Sequence, residues 1–225
     1  MRQIIAAALA AAALACSTPA ADQSPQPKAA QPAAGASQPA ANLPDGWRVR
    51  PDDASGAANG DSIRADAEKE SLTFSSGAAA IYYKPEMKAE KDYSLTATFS
   101  QLKPATPPQP YGLFVGGGDL DKPTAHYTAL LVRGDGRYQI VAWNGAAPKV
   151  IVDWTPAPEM REPKGVKTSN SLTIRALQGA VHFLIADKEV HQMPRAAAGS
   201  DGVAGVRIGA GLNVQVDKLS VKKFP

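Results

Sequence analysis

Between residues 111 and 224 the chain is cut into short apolar runs. Most alternate with a period of two, and Gly, Asp or Asn stand at the breaks. A strand places successive side chains on opposite faces, so this pattern predicts antiparallel strands joined hairpin after hairpin. The segment 127–132 and the segment 138–143 flank Arg133-Gly134-Asp135-Gly136-Arg137, whose Asp-Gly pair suits a tight turn. The segments 170–176 and 180–186 form a second predicted hairpin about Gln178-Gly179, and strands over 203–208, 212–216 and 219–224 close the chain.

Upstream, residues 92–102 give the cleanest alternation. Tyr93, Leu95, Ala97 and Phe99 fall on one face; Ser94, Thr96, Thr98 and Ser100 fall on the other. That predicts a half-buried strand with one wet face. Trp47 stands in a polar stretch and reads as a core plug. Pro104, Pro107, Pro108 and Pro110 make residues 103–110 a loop. Ten to thirteen strands are expected in all, with helix confined to short turns at 65–70 and 196–201.

The front end is of another kind. Met1-Arg2-Gln3 is a short positive start, followed by twelve apolar residues from Ile4 to Ala15. Twelve are too few to span a bilayer but suit the core of a signal peptide. The run ends Ala13-Leu14-Ala15-Cys16, and Cys16 is the one cysteine in the chain. These residues resemble the bacterial lipobox, in which the cysteine is acylated and becomes the new N-terminus. The usual Leu three places before the cysteine is Ala13 here, with Leu14 one place later. An ordinary cleaved signal is the alternative reading. Residues 17–43 are Ala, Pro, Gln and Ser with almost no large apolar side chain. Such a segment buries too little surface to offset its ordering entropy. It reads as a tether reaching about 80 Å if held extended. The organisation is therefore a lipoprotein signal peptide (1–15), a lipidated Cys16 with its tether (16–43) and a β-sandwich domain (44–225).

The order of elements resembles the concanavalin A-like, laminin-G-like jelly-roll sandwiches of bacterial envelope proteins. Tyr111-Gly112-Leu113-Phe114-Val115 is similar to that family's Tyr-Gly-Leu-x-Phe strand, and Asp135-Gly136-Arg137-Tyr138 to its next hairpin. Trp154-Thr155, Asn170-Ser171-Leu172-Thr173-Ile174, the Gly202–Val206 step and Val216-Asp217-Lys218-Leu219-Ser220-Val221 follow in the family's order. Where the family closes a hairpin with Asn-Gly, this chain has Asp187-Lys188. The resemblance implies an all-β jelly-roll sandwich of two antiparallel sheets. It does not fix an activity, because the fold carries lectins, glycosidases, adhesion modules and structural domains alike.

The chemistry on offer is limited. Lys plus Arg exceed Asp plus Glu by three, and the basic residues are scattered, which argues against a nucleic-acid partner. Sandwich glycosidases need two carboxyl groups on one strand face. The nearest match, Asp66-Ala67-Glu68-Lys69-Glu70, has the spacing but polar surroundings, and reads as a solvated face; Glu159 with Glu162 lies in a Pro-rich loop. His126, His182 and His191 have no zinc-ligand spacing, and there is no Gly-x-Ser-x-Gly elbow. Asp119 and Asp121 offer oxygen atoms of the kind Ca²⁺ takes, or else make an ordinary polar turn. Gly116-Gly117-Gly118 precedes no helix, so it reads as a sheet corner and not as a phosphate loop.

The remaining candidates are aromatic. Trp143 beside Asn144, with Tyr127, Arg133 and Tyr111, would stack on and hydrogen-bond to a sugar or peptide. The other reading makes Trp143 a core residue. Three functions follow as expectations. The first is an envelope-anchored, non-catalytic module binding a glycan, a wall polymer or a protein. The others are a glycoside hydrolase-like enzyme and a structural subunit of an envelope complex. The expected address is a membrane, the outer one first, with the domain in the periplasm or on the cell surface. Anchoring has a direct test. The full chain should take up palmitate and partition into detergent, and Cys16→Ser should lose both; equal labelling of the variant would remove the lipid.

Overall fold

The computed structural model describes residues 43–52, 62–66, 69–145, 148–160 and 168–225. Cys16, the tether, Glu68 and Glu162 lie outside the described residues. The fold is an all-β jelly-roll sandwich of two antiparallel seven-stranded sheets. In chain order the strands are β1 (Arg48–Pro51), β2 (Ser62–Asp66), β3 (Ser71–Ser75), β4 (Ala80–Ala89), β5 (Tyr93–Gln101), β6 (Tyr111–Gly118) and β7 (His126–Arg133). There follow β8 (Arg137–Asn144), β9 (Lys149–Pro156), β10 (Thr168–Leu177), β11 (Ala180–Ile185), β12 (Lys188–Pro194), a one-turn helix α1 (Arg195–Ala198), β13 (Gly202–Ile208) and β14 (Asn213–Lys223). The first sheet, sheet A, runs β1-β4-β13-β6-β7-β8-β9; sheet B runs β12-β11-β10-β5-β14-β3-β2.

The two central strands explain the two kinds of sequence pattern. β5, central in sheet B, buries Tyr93, Leu95, Ala97 and Phe99 between the sheets, while Ser94, Thr96 and Thr98 stay half-exposed. One face of sheet B is wet, so its sequence alternates. β6, central in sheet A, is buried at every residue from Tyr111 to Gly117. Both faces of sheet A are covered, and a strand covered on both faces reads as a continuous apolar run.

The inter-sheet core gathers Leu95, Phe99, Leu113, Leu130, Ile140, Leu172, Ile174, Phe183, Val206 and Val216, all fully buried. Each such side chain contributes about 1.5–3 kcal/mol by leaving water. Trp47 closes one part of this core edge-on to Phe74, with ring centroids 5.7 Å apart, and Phe74 meets Tyr82 at 5.1 Å. The plug predicted at Trp47 is present.

Several local expectations need correction. β14 is one strand where two were expected; a bulge between Asp217 and Ser220, with Lys218 at φ 55°, bends it without ending it. The β11–β12 turn falls at Ala186 and Asp187, both at positive φ, one place before the expected Asp187-Lys188. The β10–β11 turn does sit at Gln178 and Gly179. The three glycines of 116–118 end β6 itself instead of forming a corner between strands. A side chain at Gly116, whose φ is +69°, would strike the Gly199 carbonyl, because α1 is drawn down onto this strand. Thr128 Oγ1 donates to the Ala198 carbonyl at 2.7 Å and Tyr93 Oη to the Ser200 carbonyl at 2.8 Å. Arg195 reaches Asp92 at 3.2 Å and Asp201 at 2.5 Å.

Burial pushes the phenols of Tyr93 and Tyr111 up to about 12. Unfolded tyrosine ionises near pH ~10. The folded chain holds these protons longer, so the stability tied to them is complete below pH ~10 and is lost as pH rises toward 12. Ultraviolet titration of tyrosinate should show these two phenols ionising about two units later than in the urea-unfolded chain.

Candidate functional site

The face of sheet A turned away from sheet B carries a second buried cluster. It contains Ile81 and Tyr83 from β4, Phe114 from β6, Tyr127, Ala129 and Leu131 from β7 and Val141 from β8. Leu120 and Ala125, from the β6–β7 connection, fold over its end, and Trp143, Trp154 and Val203 pack against it. Strand parity builds this face. Tyr127 pairs across the ladder with Trp143, and Ala129 with Val141, while their neighbours Leu130 and Ile140 point into the inter-sheet core. Trp143 is half-buried. It stacks on Tyr127 with centroids 4.7 Å apart and planes 15° from parallel, and Tyr127 meets Phe114 beneath at 5.2 Å.

Charge enters from β1 and β13. The register Arg50↔Ile81 and Ile81↔Arg207 puts both arginines on this face, separated by β4. They are 4% and 6% exposed. Arg207 makes a two-pronged pair with the Asp52 carboxylate and donates from Nη1 to Tyr127 Oη at 3.0 Å. Its guanidinium lies 4.4 Å from the centre of the Trp143 ring. Burial opposes the Arg207 charge, but the oxygens of Tyr127 and Asp52 outweigh that and raise its pKa. Burial pushes the Tyr127 phenol up, against the pull of Arg207 and then of Arg50. Tyr127 therefore stays a neutral donor and acceptor at neutral pH. At the far side, Arg133 sits 4.1 Å over Trp154 and is held by Asp135 at 2.6 Å.

Of the residues singled out by sequence, Trp143 and Tyr127 touch on this face, while Arg133 shares the face but stands six residues along β7 from Tyr127, against Trp154. Tyr111 is not on this face. It lies on the opposite side of β6, buried between the sheets against Phe99, 5.8 Å away, and is a core residue. Asn144 is exposed at the end of β8, on the opposite side from Trp143 by alternation. Asp119 is taken by Lys122 at 2.8 Å and Thr124 at 3.1 Å, which hold its carboxyl below the usual range. Among the described residues, no group of three or more His, Cys, Asp or Glu could hold a metal ion. Asp66 pairs with Lys69 at 2.8 Å in the exposed turn after β2. Arg50, Asp52, Arg207 and Trp154 are the site residues that sequence reasoning missed. The strand alternation Arg48-Val49-Arg50 was the one available signal for any of them.

No protein-family model matches this chain, and no curated protein matches it in sequence. Its fold is shared with solved structures. The chain is similar to the carbohydrate-binding module CBM66 from Bacillus subtilis, at 12% identity over 79% of this chain and 96% of that one, with a TM-score of 0.58. It is similar to a glycoside hydrolase family 16 endo-glucanase from Bacteroides ovatus, at 11% identity over 78% and 93%, with a TM-score of 0.55. A Bacillus subtilis protein of unknown function with a galectin-like fold aligns at 15% identity over 79% and 89%, with a TM-score of 0.52. At these identities the likeness establishes the jelly-roll sandwich.

The packing sets an order of stabilities. Phe114→Ala removes a fully buried ring and should cost about 3–5 kcal/mol. Trp143→Ala removes a half-buried ring and one stacking partner and should cost less, about 1–2 kcal/mol. Denaturant melts of the two variants check the order. A Trp143→Ala loss equal to that of Phe114→Ala would make Trp143 a core residue.

Proposed function

We propose that the chain is a non-catalytic module that binds a glycan on the outer face of sheet A. We further propose that it is held at a bacterial envelope, the outer membrane first, by a lipid on Cys16. One observation carries the binding reading. A half-buried Trp143 stacks on Tyr127 and carries the Arg207 guanidinium over its ring, so aromatic surface and fixed polar groups come together at one half-exposed place. Sugars are held in this way, their C–H faces on an aromatic ring and their hydroxyls on nearby donors and acceptors.

Composition argues for binding over bond cleavage. The four strands at the middle of this face, β13, β6, β7 and β8, contain no Asp or Glu. The two-carboxylate mechanism of glycoside hydrolysis therefore has no pair there to use. The structural-subunit alternative finds little support, because Val150 is the one large hydrophobic residue strongly exposed among the described residues. The likeness to a carbohydrate-binding module adds a precedent for this use of the fold.

A panel of neutral and acidic oligosaccharides offered to the full chain tests the reading. At least one should bind, Trp143→Ala should weaken that binding tenfold or more while the chain stays folded, and no reducing ends should appear on prolonged incubation. Release of sugar ends would return the enzyme alternative. Undiminished binding by Trp143→Ala would move the site elsewhere.

A further inference from the structure

The outer face of sheet A holds more positive charge than it neutralises. Asp52 is committed to Arg207. Arg50 is 4% exposed, and its Nε has no hydrogen-bond partner among the described residues. No ion pair joins Arg50 to an acidic group among the described residues either, whereas Arg133, Arg195 and Arg207 each have one. Arg48, two residues earlier, lies on the same face of the same strand and is exposed. A buried guanidinium without a counter-ion is costly to the fold. A position that keeps one beside an aromatic face suggests that the missing anion arrives with the ligand.

We propose that Arg50 is a subsite for the carboxylate of an acidic sugar, so that the glycan bound over Trp143 is one containing uronic acid. This rests on the glycan-binding reading and narrows it. The planar guanidinium matches a carboxylate through two parallel N–H···O bonds, a geometry that a lysine ammonium does not reproduce. Two strand spacings, about 9.5 Å, separate the β1 backbone from that of β13. Arg50 therefore flanks Arg207 on the side away from Trp143, whose strand β8 lies three strands beyond β13, so that an oligosaccharide laid across the sheet would meet both. Tyr127 and Arg207, buried and bonded to each other, hold Trp143 in place, and Arg50 addresses the charge.

The experiment titrates the full chain with three oligosaccharides of equal length: an oligogalacturonate, its fully methyl-esterified form, and a sulfated galactan fragment. The oligogalacturonate should bind, and esterification should weaken it tenfold or more with no change in the protein. Arg50→Gln should abolish that preference, leaving the two forms equal, and Arg50→Lys should restore it only in part. Equal binding of the acid and its ester by the unaltered chain overturns the proposal while leaving a neutral glycan as ligand. Preferred binding of the sulfated fragment overturns the carboxylate assignment. Absence of binding by all three overturns this proposal alone if a member of the wider panel binds, and overturns the glycan reading with it if none does. The esterified probe keeps the test decisive even if Arg50→Gln fails to fold.

Discussion

In a sheet largely withdrawn from water on both faces each charge calls for a partner, and one left without, as Arg50 is among the described residues, is costly. Sheet A is such a sheet, and the rest of the structure follows from how it meets that demand. Its inner face is met by sheet B. Its outer face is met by its own aromatic rings, by Leu120 and Ala125 folding over the end, and by Arg207 lying against Trp143. Arg207 is the one ion pair at the centre of this face, and it is satisfied three ways, by a carboxylate, a phenol and an indole ring. Removing any one of those partners would leave a low-dielectric group unmatched, which is why the polar atoms here are fixed in direction.

Fixed direction separates this face from that of sheet B. There, Thr96 and Thr173 share a bond at 3.1 Å and Ser100 and Ser169 one at 2.6 Å, hydroxyl to hydroxyl, in pairs where either oxygen can donate. The two outer faces therefore differ: that of sheet B carries hydroxyls, and that of sheet A carries a phenol and a guanidinium locked beside a half-covered indole.

Much of the fold was legible in the sequence because its signals are local. β5 alternates cleanly, the Asp-Gly and Gln-Gly turns occur where chain reversal needs positive φ, and Trp47 stands out among polar neighbours. The errors come from parity and from distance. In Tyr111-Gly112-Leu113-Phe114 both faces are apolar, so nothing local says that Tyr111 turns inward and Phe114 outward. The β14 bulge looks like a break because Asp217 and Lys218 are polar. The Asp52–Arg207 pair joins residues 155 apart in sequence, and no periodicity links them. Sheet order brings them together, and sheet order is the part of a jelly roll that hairpin signals do not encode.

The place of β1 has a mechanical consequence. β1 is four residues long, stands at the edge of sheet A, and pairs with β4 alone, from Arg48↔Tyr83 to Pro51↔Ala80. Any pull on the chain ahead of Leu43 is delivered first to this strand. Trp47, wedged against Phe74, is the stopper that bears the load before the ladder does. Behind it come Arg50, on β1, and Asp52, one residue past its end, so peeling this strand would carry away the margin of the face, the Asp52–Arg207 pair included. A ligand that bridged Arg50 to the centre of the sheet would act against that peeling as a rivet.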